Sequence, residues 1–115
     1  METIRQGDGY MRTVSGEAPT TREDGTPLPL NEIAHYNFYV KFNDGPVSPP
    51  AAVLLVDGAF SEQIDIDAHE PGTYEIYYTT VDTQVPPKES VPSNSLILEI
   101  LEPFKAAPNP PSGVS

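Results

Sequence analysis

Gly72-Thr73-Tyr74-Glu75-Ile76-Tyr77-Tyr78-Thr79-Thr80-Val81-Asp82 is the longest uninterrupted run of β-branched and aromatic residues in the chain, and Pro71-Gly72 leads into it. Residues of this kind fit a pleated, half-buried surface, and a turn pair followed by such a run predicts a strand. Its alternation puts Tyr74, Ile76, Tyr78 and Thr80 on one side and Glu75, Tyr77 and Thr79 on the other. We take this as the central strand and expect the others to assemble around it.

Working outward, His35-Tyr36-Asn37-Phe38-Tyr39-Val40-Lys41-Phe42 has period two. Tyr36, Phe38, Val40 and Phe42 share one face; His35, Asn37, Tyr39 and Lys41 share the other. Ala51-Ala52-Val53-Leu54-Leu55-Val56 is apolar throughout, is closed by Asp57-Gly58, and is read as a strand. Phe60 to Ala68 alternates with Ile64, Ile66 and Ala68 inward. Ser93 to Leu101 is the last strand, with Leu96, Leu98 and Ile100 opposed to Ile97, Glu99 and Leu101. On the other flank, residues 2–6 and Tyr10 to Ser15 are short strands separated by the turn signal Gly7-Asp8-Gly9. The loop from Ala18 to Pro29 holds three prolines, which exclude a helix, and Leu28, Leu30 and Ile33 are expected to tuck it under the core. Thr83 to Pro92 is a second Pro-rich loop. Seven short strands with regular turn signals predict an all-β, seven-stranded antiparallel β-sandwich. The expected division is a short N-terminal segment at 1–9, the sandwich at 10–101, and a Pro-rich extended tail at 102–115.

Composition narrows the classes of function. With 17 acidic and 6 basic residues the formal net charge is −11, a surface that repels nucleic-acid phosphates and anionic lipid headgroups. No nucleic-acid or membrane partner is therefore expected. No stretch approaches the roughly 20 apolar residues of a membrane span, and the polar Glu2-Thr3-Ile4-Arg5-Gln6 predicts that no secretory signal follows Met1. Cysteine is absent, so disulfides and thiolate chemistry do not enter.

Several phrases resemble the fibronectin type III family. Asp24-Gly25-Thr26-Pro27-Leu28, followed by Ile33-Ala34-His35-Tyr36, is similar to that family's B–C region. Glu70-Pro71-Gly72-Thr73-Tyr74 running through Thr80-Val81-Asp82 is similar to its E–F turn and F strand, and Glu89-Ser90 and Ser93-Asn94 to its F–G loop and G strand. The resemblance spans roughly residues 10–101. It implies an immunoglobulin-like fold of fibronectin type III topology, with sheets A-B-E and C′-C-F-G, and a structural tyrosine corner at Tyr74, whose hydroxyl would bond backbone at the E–F bend. The chain departs from the family at Gly16-Glu17, where a Trp usually precedes the exit of strand B. Met11 and Tyr10 are expected to fill that end of the core. It departs again at Pro86-Pro87, where a Gly turn is common. The phrasing from Thr20 to Leu28 is most similar to modules in bacteriophage virion proteins and secreted bacterial multidomain enzymes.

No catalytic, cofactor or metal site is expected. His35 and His69 are isolated on outward faces, whereas zinc needs three or four converging ligands. Asp65-Ile66-Asp67 lacks the rest of a calcium loop, and no nucleophile elbow, P-loop or dinucleotide fingerprint occurs. The chain is read as no enzyme. The clue to function is apolar surface: Tyr39, Tyr77 and Ile97 are expected side by side on an outer sheet face, and Leu54 and Leu55 on an edge strand whose two faces are both apolar. These five residues form the candidate interface. The expected function is a structural interaction protein of a bacteriophage virion, made in the host cytoplasm and docking on capsid or tail proteins of the same particle or on itself. The alternatives are an extracellular carbohydrate- or cell-surface-binding module, with the tyrosines stacking on a host-surface glycan, and a spacer domain of a secreted enzyme.

Overall fold

The computed structural model describes residues 1–115. Its strands are β1 (Glu2–Arg5), β2 (Met11–Gly16), β3 (Ile33–Phe42), β4 (Ala51–Val53), β5 (Phe60–Asp65), β6 (Gly72–Asp82) and β7 (Leu96–Leu101), with single 3-10 turns at Leu30–Glu32 and Ile66–Ala68. Strands together with isolated bridge positions take up 44% of the residues, and there is no α-helix, so the class is all-β. β6 is the middle strand of a five-stranded sheet in the order β1-β7-β6-β3-β4; β2 and β5 make a separate two-stranded sheet.

The β3–β6 ladder is the longest, running from Ile33↔Asp82 to Phe42↔Tyr74. It is closed by short-range chemistry that the sequence supplies. Asn43 and Asp44 both take positive φ (49° and 58°), a conformation their short polar side chains tolerate, and Gly45 N donates to Phe42 O at 2.9 Å. Asp57 and Gly58 likewise both have positive φ, and Val56 and Ala59 exchange backbone hydrogen bonds across them, the geometry of a two-residue hairpin turn.

The two sheets meet through an aromatic cluster. The Phe60 ring stacks on Tyr78 at 4.1 Å and lies 5.1 Å from Tyr36. Val14, Ile76 and Leu98 complete the layer. The buried phenols keep partners, as buried tyrosines must: Tyr36 donates to Gly58 O and Tyr78 to Glu62 Oε1, each at 2.7 Å. Burial, reinforced by the neighbouring Glu62 carboxylate, pushes the Tyr78 phenol well above its ordinary pKa.

Several expectations are corrected here. Tyr10 and Met11 do not fill the end of the core beside Gly16-Glu17; they are 49% and 43% exposed. Phe60 fills it instead. A Cβ on Gly16 would lie 2.4 Å from the Phe60 ring, so the glycine and the large ring occupy one volume between them. The residues at 2–5 do not extend a sheet with β2 and β5. β1 pairs in parallel with β7, from Glu2↔Leu98 to Arg5↔Leu101, which makes the larger sheet mixed and not purely antiparallel. The cause is the Gly7–Gly9 turn. Asp67 accepts from Gly7 N (2.8 Å) and Gly9 N (2.9 Å), and this carries the chain from one sheet to the other. The Arg12–Glu2 ion pair, at 2.6 Å, then bridges β2 to β1 across the two sheets. The apolar run 51–56 is a strand only as far as Val53, because the hairpin turn at Asp57-Gly58 draws Val56 away. β5 stops at Asp65, with Ile66 buried in a 3-10 turn and Ala68 exposed. β7 begins at Leu96, three residues later than expected, because Ser90 and Ser93 hydroxyls take the hydrogen bonds of Thr80 N and Tyr78 N that a strand would otherwise accept. Leu28 and Ile33 are buried, but Leu30 is exposed.

Gly72 opens β6 at φ +153°, with the Phe42 ring 2.5 Å from where a Cβ would stand. Gly72→Ala is therefore expected to destabilise the protein by about 2 kcal/mol, through backbone strain and displacement of that ring. Urea denaturation checks this.

Residues 102–115 carry no strand or turn and are exposed throughout. They give the molecule extents of 81 × 28 × 21 Å and a radius of gyration of 19.9 Å, against about 13 Å for a compact domain of this length.

Candidate interaction surface

The outer face of the five-stranded sheet is set by the β3–β6 register. Tyr39 stands opposite Tyr77, Asn37 opposite Thr79 and Lys41 opposite Glu75; Glu75 in turn stands opposite Ile97 on β7. The Tyr39 and Tyr77 rings stack face to face, 5.1 Å apart and 16° from parallel. Such a cross-strand aromatic pair contributes on the order of 1 kcal/mol beyond its burial. Ile97 is 38% exposed one register position away. The structure thus brings Tyr39, Tyr77 and Ile97 onto one face.

Leu54 and Leu55 are not part of that patch as a pair. Leu54 is 77% exposed beyond the end of β4, while Leu55 turns inward and packs against the core. One face of this edge is therefore accounted for by the chain itself, and Leu54 projects, as does Val56 at the turn that follows.

A polar element of this face has no local signature in the sequence. Glu89, from the loop between β6 and β7, folds over the sheet. Its Oε2 accepts from Tyr39 Oη (2.5 Å), Thr79 Oγ1 (2.5 Å) and Asn37 Nδ2 (3.1 Å). The Thr79 hydroxyl and then the Tyr39 hydroxyl hold the Glu89 carboxyl below the usual carboxylate range. The bond to Glu89 raises the Tyr39 phenol correspondingly. Glu89 Oε1 makes no hydrogen bond within the chain, so a fixed, exposed negative oxygen sits at the rim of the tyrosine pair. Glu75 and Glu99 lie on the same face, by their pairing with Ile97 and Thr73.

The loop that delivers Glu89 is held by a second cluster. Asp82, 5% exposed at the end of β6, accepts from Gln84 N (3.1 Å) and Lys88 N (2.8 Å) through Oδ1. Its Oδ2 accepts from Arg22 Nη1 (2.8 Å) and from the Gln84 side chain. Arg22 also pairs with Glu32 at 2.7 Å. The Lys88 backbone N–H, then Gln84 and Arg22, hold the Asp82 carboxyl far below its ordinary range. One guanidinium therefore ties the loop before β3 to the loop after β6. The sequence does hold a trace of this arrangement: an Asp closing a strand, with its carboxylate bound to the N–H two residues on, is an Asx turn.

Tyr74 Oη donates to Glu70 O at 2.6 Å, spanning the bend that leads into β6. The histidines stand apart. His69 Nδ1 contacts Asp65 O at 2.7 Å, and Asp67 is engaged by the Gly7–Gly9 turn and does not share a solvated strand face with Asp65. No set of three or more His, Asp or Glu side chains is gathered as a metal-binding group.

The base of the tail is also fastened. Arg5 Nη1 donates to Glu102 O at 2.8 Å, and the guanidinium carbon lies 4.0 Å from the centre of the Phe104 ring, a cation–π contact. Beyond Phe104 the chain projects free. No family model, curated protein or solved structure matches this chain.

Proposed function

We propose that this protein is a non-catalytic interaction module of fibronectin type III type that docks on protein partners through the Tyr39–Tyr77 face. The observation that carries this reading is the stacked tyrosine pair with the fixed carboxylate of Glu89 at its rim. Tyrosines supply large contact area at small entropic cost and are enriched at recognition surfaces. In the family reading, β2 and β5 correspond to strands B and E, and β4, β3, β6 and β7 to C′, C, F and G. The Tyr74–Glu70 bond stands where a tyrosine corner would, and β1 has moved beside β7. The sequence resemblance to virion modules makes a capsid or tail protein of a bacteriophage particle the proposed partner. A glycan is the weaker reading, because each ring of the Tyr39–Tyr77 pair has one face covered by the other, and no Trp is present.

The test is incorporation into particles. Tyr77→Asp is expected to abolish incorporation while costing the isolated protein about 1–3 kcal/mol, the lost aromatic pair together with the burial of the ring, which leaves it folded. Copies per particle would be quantified by gel densitometry and stability by thermal melting. Normal incorporation of Tyr77→Asp would remove the face from the interface. Absence of the wild-type chain from particles would remove the virion assignment.

A further inference from the structure

The tail and the outer face have complementary chemistry. Pro103–Ser115 holds one of the six basic residues, Lys105, and none of the seventeen acidic ones. Lys105, Pro108 and Pro111 recur every third residue. A Pro-rich segment favours the polyproline helix, which has three residues per turn, so these three side chains align along one edge about 9 Å apart. Segments of this kind bind aromatic surfaces at little ordering cost because they are already extended. The face carries Glu75, Glu89 and Glu99 around two stacked tyrosines, with Lys41 on β3 and, at the β1 edge, Arg5 as the cations, and Glu89 Oε1 is unengaged.

The tail does not reach that face in its own molecule. β7 ends beside the start of β6, since Ile100 pairs with Gly72. Tyr77 lies five residues further along β6, roughly 17 Å back. The Arg5 clamp on Phe104 and Glu102 fixes the exit, and the residues beyond run out along the 81 Å axis.

We propose that the tail of one copy docks on the Tyr39–Tyr77 face of a second copy, with Lys105 against Glu89 Oε1 and Pro108 and Pro111 against the tyrosine rings. This rests on the docking face proposed above and makes a second copy of this chain, itself a component of the proposed particle, the protein that fills it. The contact joins two different surfaces, so it is heterologous: copies add head to tail, into open chains or closed rings.

The experiment is the solution mass of the full chain, by light scattering over a concentration series up to millimolar. Wild-type mass is expected to rise with concentration. Lys105→Glu, in an exposed tail with no role in folding, is expected to weaken association roughly tenfold or more, because it brings like charges together. Tyr77→Asp is expected to do the same from the other side. Head-to-tail docking makes a sharper demand on a mixture of the two variants. Each is blocked at one end only, so the tail of Tyr77→Asp fits the face of Lys105→Glu. The equimolar mixture must form a dimer with the wild-type affinity and stop there, while each variant alone associates roughly tenfold or more less tightly. A mixture that remains monomeric overturns the inference. So does association that Tyr77→Asp disperses and Lys105→Glu leaves intact; that result keeps the docking face and removes the tail as its occupant. A wild-type chain that is monomeric throughout also overturns it, and the docking face then stands or falls on particle incorporation.

Discussion

Phe60→Ala is expected to destabilise the protein by about 3–5 kcal/mol, the range for deleting a buried phenyl ring. That is a large share of the total stability of a domain, about 5–15 kcal/mol. The cost is high at this site because nothing nearby can collapse into the space. Gly16, directly beneath the ring, has no side chain to move. Tyr78 and Tyr36, its other neighbours, are tethered through their hydroxyls to Glu62 and Gly58. Urea unfolding gives the number. Met11→Ala is the control, expected to change stability by less than about 0.5 kcal/mol because Met11 is an exposed side chain. Equal losses in the two variants would mean that this end of the core is not filled by Phe60.

The second large effect lies at Asp82 and depends on pH. The carboxylate is held by two backbone N–H groups, the Gln84 amide and Arg22, and its folded pKa lies below its unfolded one. A group shifted in that direction contributes its full stability above the unfolded value, about 3.9 for Asp, and loses it as pH falls toward the folded value. Asp82→Asn removes the charge while keeping the shape. The variant is expected to be clearly less stable than the wild type at pH 7, by an amount unchanged down to about pH 4, with the gap narrowing below that. Denaturation curves at pH 7, 4 and 2.5 decide it. A gap that stays constant to pH 2.5 would mean that the side chain matters by shape and not by charge. Because the loop that Asp82 fastens also carries Glu89, the same variant is expected to loosen the outer face.

What could be read from the chain beforehand follows the range of the forces involved. β6 begins and ends where its sequence run does, since a Pro-Gly entry and unbroken β-branched and aromatic alternation are local facts. The outward placement of Tyr39 and Tyr77 follows from period two, and their contact from the adjacency of the two strands. By contrast, four residues at 2–5 contain no information about which neighbour they will pair with; that is decided by a carboxylate at Asp67, sixty residues away. Phe60 is legible as apolar, but not as the ring that fills this end of the core, because that role depends on a glycine of the neighbouring strand. The hold of Arg22 on Asp82, and of Glu89 on Tyr39, joins residues 60 and 50 positions apart. A charged side chain in a loop gives no sequence signal of its distant partner. The apolar run at 51–56 is a strand over only its first half for a related reason: the turn that follows it bends the chain before the pattern is used up.

The parallel pairing of β1 with β7 has a mechanical consequence. The first and last strands lie side by side and run in the same direction, over the four positions from Glu2↔Leu98 to Arg5↔Leu101. Tension applied to the two ends of the molecule pulls these strands past one another along their length. The load then falls on all the ladder bonds at once, and they cannot open one after another as in a peeled hairpin. Resistance to such a pull is governed by the unfolding rate, so this short edge ladder sets how long the sandwich survives when it is stretched between two anchors.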